Sequence, residues 1–170
     1  MKKVIVFALV LTIHGVLLSS VLAQQTPRYL VTHVNSLETP STGAPRIATV
    51  VTVVNQSSVS CDVQVEWFSA GAASSSLVCT GQGTVVPGGV LQFCSRNLPS
   101  GVSGGGCNDF CDPGQTGFFF GKAIVSSSER SECSLLGIEA RVLFTGVNDN
   151  QILAISNSKV VFFGEGNLGD

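Results

Sequence analysis

Ile47-Ala48-Thr49-Val50-Val51-Thr52-Val53-Val54-Asn55 and, after a short polar turn, Cys61-Asp62-Val63-Gln64-Val65-Glu66-Trp67 decide the fold class. The first run is dense in β-branched residues, whose stiff side chains suit a pleated backbone, and it predicts a buried strand. The second alternates. Cys61, Val63, Val65 and Trp67 fall on one face, and Asp62, Gln64 and Glu66 on the other, which is the period of a strand with one buried side. Gln56-Ser57-Ser58 is the turn between them.

The same grammar continues outward. Ser69 to Ser76 reads as a loop, Leu77 to Thr80 as a short strand, and Val85-Val86-Pro87-Gly88-Gly89 as a turn. Val90 to Ser95 follows as a strand with Leu91 and Phe93 inward. Pro99 to Gly117 is rich in glycine and contains Cys107 and Cys111, so it predicts a long surface loop pinned by at least one disulfide. Phe118 to Ser126 is a strand, and Ser127 to Ser134 a polar turn. Leu136, Ile138, Ala140, Val142 and Phe144 then alternate with polar residues. Asn148-Asp149-Asn150 is hairpin-turn chemistry, and Ile152–Ile155 and Val160–Phe163 close the set. No helical period occurs after the first 23 residues. Seven to nine short strands with frequent turns predict an all-β, antiparallel sandwich in one domain; an up-and-down barrel is the alternative.

The front of the chain is different. Met1-Lys2-Lys3 precedes the apolar run Val4–Leu11, which resumes near Ile13 and ends in Ser19-Ser20-Val21-Leu22-Ala23 before Gln24-Gln25. A positive start, apolar centre and small-residue exit predict a signal peptide over residues 1–23, cleaved after Ala23. His14 and Gly15 interrupt the run and argue against a membrane-spanning anchor. No cysteine stands directly after the cleavage point, no second long apolar run occurs, and the C-terminal segment over residues 164–170 is polar, so neither lipid attachment nor a second span is expected.

Residues 24–170 then form the working domain. Without Lys2 and Lys3, seven basic residues face eleven acidic ones, a net charge of −4. No basic stripe is available for nucleic acid and no polybasic patch for anionic lipid. All six cysteines, Cys61, Cys79, Cys94, Cys107, Cys111 and Cys133, lie in this region. An even count behind an export signal predicts three disulfides, for which sequence permits fifteen connectivities. The preferred set is Cys107–Cys111 by local closure, Cys79–Cys94 across the Pro87 turn, and Cys61–Cys133 as the remainder. Zinc-ligand and haem-attachment spacings are absent, and no cofactor or metal is expected.

Several pieces resemble the immunoglobulin-like sandwich modules of secreted bacterial surface proteins. They are Thr52-Val53-Val54-Asn55-Gln56-Ser57, Val63-Gln64-Val65-Glu66-Trp67-Phe68, Val86-Pro87-Gly88-Gly89 and Gly121-Lys122-Ala123-Ile124-Val125-Ser126-Ser127, spanning roughly residues 45–145. The resemblance implies a module for adhesion, spacing or assembly. The six cysteines and the glycine-rich insertion depart from the usual pattern.

Candidate chemistry is sparse. Trp67, the single tryptophan, shares its face with Cys61, Val63 and Val65 and is expected in the core beside a disulfide. Phe118-Phe119-Phe120 sets aromatics on both faces of one strand, covered on both sides or offering an apolar contact to a partner. His33 stands without a catalytic constellation, and no G-x-S-x-G elbow is present, so no catalytic residue is assigned. Glu66 and Glu139 read as solvated surface. Asn55-Gln56-Ser57 fits the N-glycosylation pattern.

The candidate binding loop presents Asn108, Asp109, Phe110 and Asp112, one aromatic flanked by acids, which also raises calcium as a minor possibility. The expected function is a secreted or periplasmic, non-enzymatic module that binds another protein or a cell-surface component, or assembles, through its surface loops. The alternatives are a structural subunit polymerising by strand addition and a secreted enzyme with a loop-borne site.

Overall fold

The computed structural model describes residues 27–37, 46–70, 75–96, 98, 107–111, 118–127, 133, 135–146 and 152–163. The expected signal peptide over residues 1–23 with its cleavage site, and the expected turn at 148–150, lie outside the described residues. Ten strands are present among those described: β1 Arg28–Leu37, β2 Arg46–Asn55, β3 Cys61–Ala70, β4 Ser75–Val85, β5 Val90–Cys94, β6 Asp109–Phe110, β7 Phe118–Ser127, β8 Leu136–Thr145, β9 Ile152–Asn157 and β10 Val160–Phe163. The chain is all-β and carries three disulfides. All ladders are antiparallel except the short β5–β6 pair.

The pairings form two halves of one continuous sheet. One half runs β4-β3-β7-β1-β10, and the other has β2 flanked by β5 and β8, with β6 beyond β5 and β9 beyond β8. Their facing sides supply one apolar core. It contains Val31 and Val34 from β1, Val51 and Val53 from β2, Val63, Val65 and Trp67 from β3, Phe93 from β5 and Val125 from β7. Trp67 is 1% exposed, as its place on the apolar face of β3 requires.

The β2 run is buried on both faces because it is central. Val51 and Val53 face the shared core, while Ala48 and Val50 join Cys94, Leu98 and Leu143 in a second cluster on the other face. A strand covered on both sides loses the alternation of a half-buried one, which is how β2 reads; its buried Thr49 is hydrogen-bonded to the Asn35 backbone.

Three places lace the halves together. At one end, Ser36 and Leu37 of β1 pair with Ala48 and Ile47 of β2 while β7 holds the other edge of β1. On one flank the C-terminal strand changes partners, from β8 over β9 to β1 over β10; the switch is marked by bonds from the Ser158 amide to the Ala140 carbonyl and from the Thr32 amide to the Lys159 carbonyl. On the other flank β6 lies between β5 and β4.

Two strands, β1 and β6, lie outside the sequence expectation, so the count exceeds seven to nine. β1 hides its period behind an irregularity between Val31 and Val34. The two valines face the core three residues apart, whereas strict alternation would have put His33 there. β4 extends from the expected Leu77–Thr80 to eleven residues. The Pro87 turn forms as read. Gly89 donates to the Val86 carbonyl at 2.8 Å, and Gly88 takes a φ of 69°, where a side chain would be strained.

Candidate functional site

The candidate loop is not a free excursion. Its centre, Cys107–Cys111, forms an added strand on the edge of β5. The Asn108 amide donates to the Gln92 carbonyl, the Gln92 amide to Asn108 Oδ1, and the Cys111 amide to the Cys94 carbonyl, each at 2.8 Å. Phe93 and Cys94 face Asp109 and Phe110 in parallel register.

Disulfides fix both ends of this segment. Cys107 is bonded to Cys94 of β5, and Cys111 to Cys79 of β4. The third bridge is Cys61–Cys133, as expected. The expected pairs Cys107–Cys111 and Cys79–Cys94 are therefore corrected, and the reasons are geometric. Extended chain advances about 3.3 Å per residue, so two cysteines four apart in a strand-like segment stand roughly 13 Å apart, beyond disulfide reach. β4 and β5 belong to different halves of the sheet, each with other ladder partners, so the Pro87 turn does not join neighbouring strands. In the observed set the Cα atoms lie 5.6 to 5.9 Å apart.

The side chains of the segment divide by role. Asp109 Oδ2 accepts from the Gln82 amide at 3.0 Å, and Oδ1 from its neighbour Phe110 at 2.8 Å. The carboxylate thus satisfies a backbone donor on the edge of β4, and it packs over Gly81, where a β-carbon would come within 3.1 Å of Asp109 Oδ2 and of the Phe93 ring. Asn108 substitutes for a ladder partner of Gln92. Phe110 projects, 45% exposed, and Asn108 two residues before it is exposed as well. Asp112 lies outside the described residues. The structure therefore ties Asn108 and Asp109 into the β5–β6–β4 flank by hydrogen bonds, and presents Phe110 together with the exposed Asn108.

Other sequence candidates sort as follows. His33 is exposed; its Nδ1 lies 2.9 Å from Thr32 Oγ1 and its ring meets the edge of Phe120. Phe120 is 44% exposed, and the side chains of Phe118 and Phe119 are outside the described set. Glu139 is solvated, with Arg141 Nε 3.6 Å away. Asn55 is fully buried: its amide nitrogen donates to the Val59 and Val85 carbonyls, and its oxygen accepts from the Ser57 amide and hydroxyl. The glycosylation pattern at Asn55 is thus a turn-building asparagine with no room for a glycan. Burial raises the Tyr29 hydroxyl above its ordinary pKa of 10, and that hydroxyl donates to the Leu136 carbonyl at 3.1 Å.

Sequence reasoning did not single out Arg96. It is 3% exposed and donates to the Ile47 carbonyl and Thr145 Oγ1, which fastens the end of β5 to β2 and β8. Its only sequence signal is a charged residue directly after an apolar strand, which does not distinguish it from a surface arginine. Among the described residues, no group of three or more His, Cys, Asp or Glu could hold a metal ion, and no helix is long and apolar enough to cross a membrane.

No family model, curated protein or solved structure matches this chain. Its class is thus defined by its own features: an all-β chain whose three disulfides fit an oxidising, extracytoplasmic environment.

Proposed function

We propose that this chain is an exported, non-enzymatic recognition module with an immunoglobulin-like sandwich, which engages a protein or cell-surface component through Phe110 on the tethered strand β6. The signal sequence over residues 1–23 delivers it to the periplasm or beyond. The observation that carries the reading is the exposed Phe110 on a two-residue strand with a disulfide at each end. An apolar side chain held by covalent tethers loses little conformational freedom on binding, so most of its burial energy becomes affinity. Aromatic anchors of this kind dominate interface energetics. Asn108 Oδ1 and the Asp109 carboxylate beside it are already hydrogen-bonded within the flank, which favours shape and apolar contact as the means of recognition.

The test is retention of the labelled exported protein on cell envelopes of the producing organism. Phe110→Ser removes the anchor while leaving both disulfides and the Asn108 and Asp109 bonds in place. The reading expects the variant, folded by circular dichroism, to lose retention by tenfold or more, about 1.4 kcal/mol. Equal retention of parent and variant overturns it.

A further inference from the structure

Four strands pair with a single neighbour among the described residues: β4, β6, β9 and β10. An unpaired strand edge is a template for another strand unless something defends it. β4 is defended by the Asp109 carboxylate on its Gln82 amide. β6 is two residues long and disulfide-bound. β10 is four residues long, with Phe162 stacked edge-on against Tyr29.

β9 has none of these. Its sequence, Ile152-Leu153-Ala154-Ile155-Ser156-Asn157, contains no charge and no proline. Ile152 is 42% and Ile155 52% exposed, and Ala154, Ser156 and Asn157 are exposed as well, so both faces of the strand are open. The irregularity opposite Thr145 affects the first residues. Ala154 to Asn157 remain in plain register with Phe144 to Arg141.

We propose that β9 is a self-association edge, which pairs antiparallel with β9 of a second copy of this chain about a two-fold axis. Charge selects this occupant. An identical strand brings no like charges together, whereas a charged strand would lose solvation at β9 with no counter-charge on it. Antiparallel pairing of identical strands is also self-complementary, as a two-fold interface requires. An axis through Ile155 sets Ile155 against its own copy and Ala154 against Ser156, apolar and small pairs that strands accept. The strand is roughly 20 Å long, and pairing along it buries less than the ~1,000 Å² of a stable interface, so the dimer is weak and concentration-dependent.

The test is sedimentation equilibrium of the exported protein from about 10 µM to about 1 mM, with amide hydrogen exchange at both ends of the range. The expected result is a weight-average mass that climbs toward twice the monomer, with exchange at residues 154–157 slowing severalfold. Ile155→Lys should hold the mass at the monomer value, and Phe110→Ser should leave the climb intact, which separates this surface from the one proposed above. A monomer throughout the range overturns the proposal. So does a dimer in which exchange at 154–157 does not change, or protection of β9 by an added uncharged peptide while the protein alone stays monomeric. The exchange measurement on the parent decides the matter even if Ile155→Lys fails to fold.

Discussion

Removing the Cys61–Cys133 bridge should be the most damaging disulfide deletion. The bond joins the first residue of β3 to the approach to β8, so it ties the two halves of the sheet, and it spans 72 residues. Chain-entropy accounting for a loop of that length gives about 4.4 kcal/mol at 25 °C. The same accounting gives about 3.7 kcal/mol for Cys79–Cys111, separated by 32, and about 2.9 for Cys94–Cys107, separated by 13. Cys61 and Cys133 are also fully buried, so alanine at both positions adds a small loss of packing. For a domain of this size, about 4.4 kcal/mol corresponds to a fall in Tm of roughly 13 °C. The assay is thermal unfolding by circular dichroism without reductant, on three double cysteine-to-alanine variants. The predicted order of loss is 61–133, then 79–111, then 94–107. A 61–133 variant that melts within a degree or two of the parent would refute the reasoning, as would the reverse order.

Other outcomes follow from single residues. Trp67→Ala should cost roughly 3–5 kcal/mol, read by denaturant unfolding, because it empties the largest side-chain volume in the core; an unchanged midpoint would mean the site is not buried. Asn55→Ala should cost about 2–4 kcal/mol, since it strands the Ser57 amide and two carbonyls, and expression in a glycosylating host should leave Asn55 unmodified. Gly121→Ala should fold poorly, because its β-carbon would overlap the Phe68 carbonyl oxygen where β7 meets β3; a normal melting curve would contradict that contact. Tyr29 is the single tyrosine, so tyrosinate absorbance reports it alone, and its midpoint should lie above pH 10. With the folded value raised, its contribution to stability is complete below pH 10 and is lost as pH rises through the folded value. A midpoint at or below 10 would remove the burial argument.

The sequence was most legible where a strand has a simple period. β3 alternates and is half-buried, β2 is dense in β-branched residues and central, and the Pro87-Gly88 turn follows from the preferences of its residues. β8 is a strand as read but is buried on both faces from Val142 to Thr145, where Leu143 and Thr145 are covered too. β1 was not legible because its irregularity moves the inward position from His33 to Val34. β6 was not legible because two residues carry no period. The oxidised state of the cysteines followed from their number and setting, but two of the pairings depended on which strands become neighbours across the flank. Long-range arrangement of that kind is not encoded in spacing along the chain. At the candidate site, an exposed aromatic in a cysteine-bounded loop could be read directly. The engagement of Asn108 and Asp109 as ladder substitutes required the position of β4 and β5.

The account rests on two halves joined by the Cys61–Cys133 and Cys79–Cys111 bridges, with Cys94–Cys107 holding β6 to β5 and β6 thus fixed between β5 and β4. Peptide mapping of the exported, non-reduced protein by mass spectrometry tests this most directly. The digest must also cut between Cys61 and Cys79, between Cys79 and Cys94 and between Cys107 and Cys111, intervals that contain no Lys or Arg, so that each bridge is read separately. The account predicts linked peptides Cys61 with Cys133, Cys79 with Cys111 and Cys94 with Cys107. A Cys107–Cys111 bridge, or free thiols at Cys79 and Cys94, would contradict it.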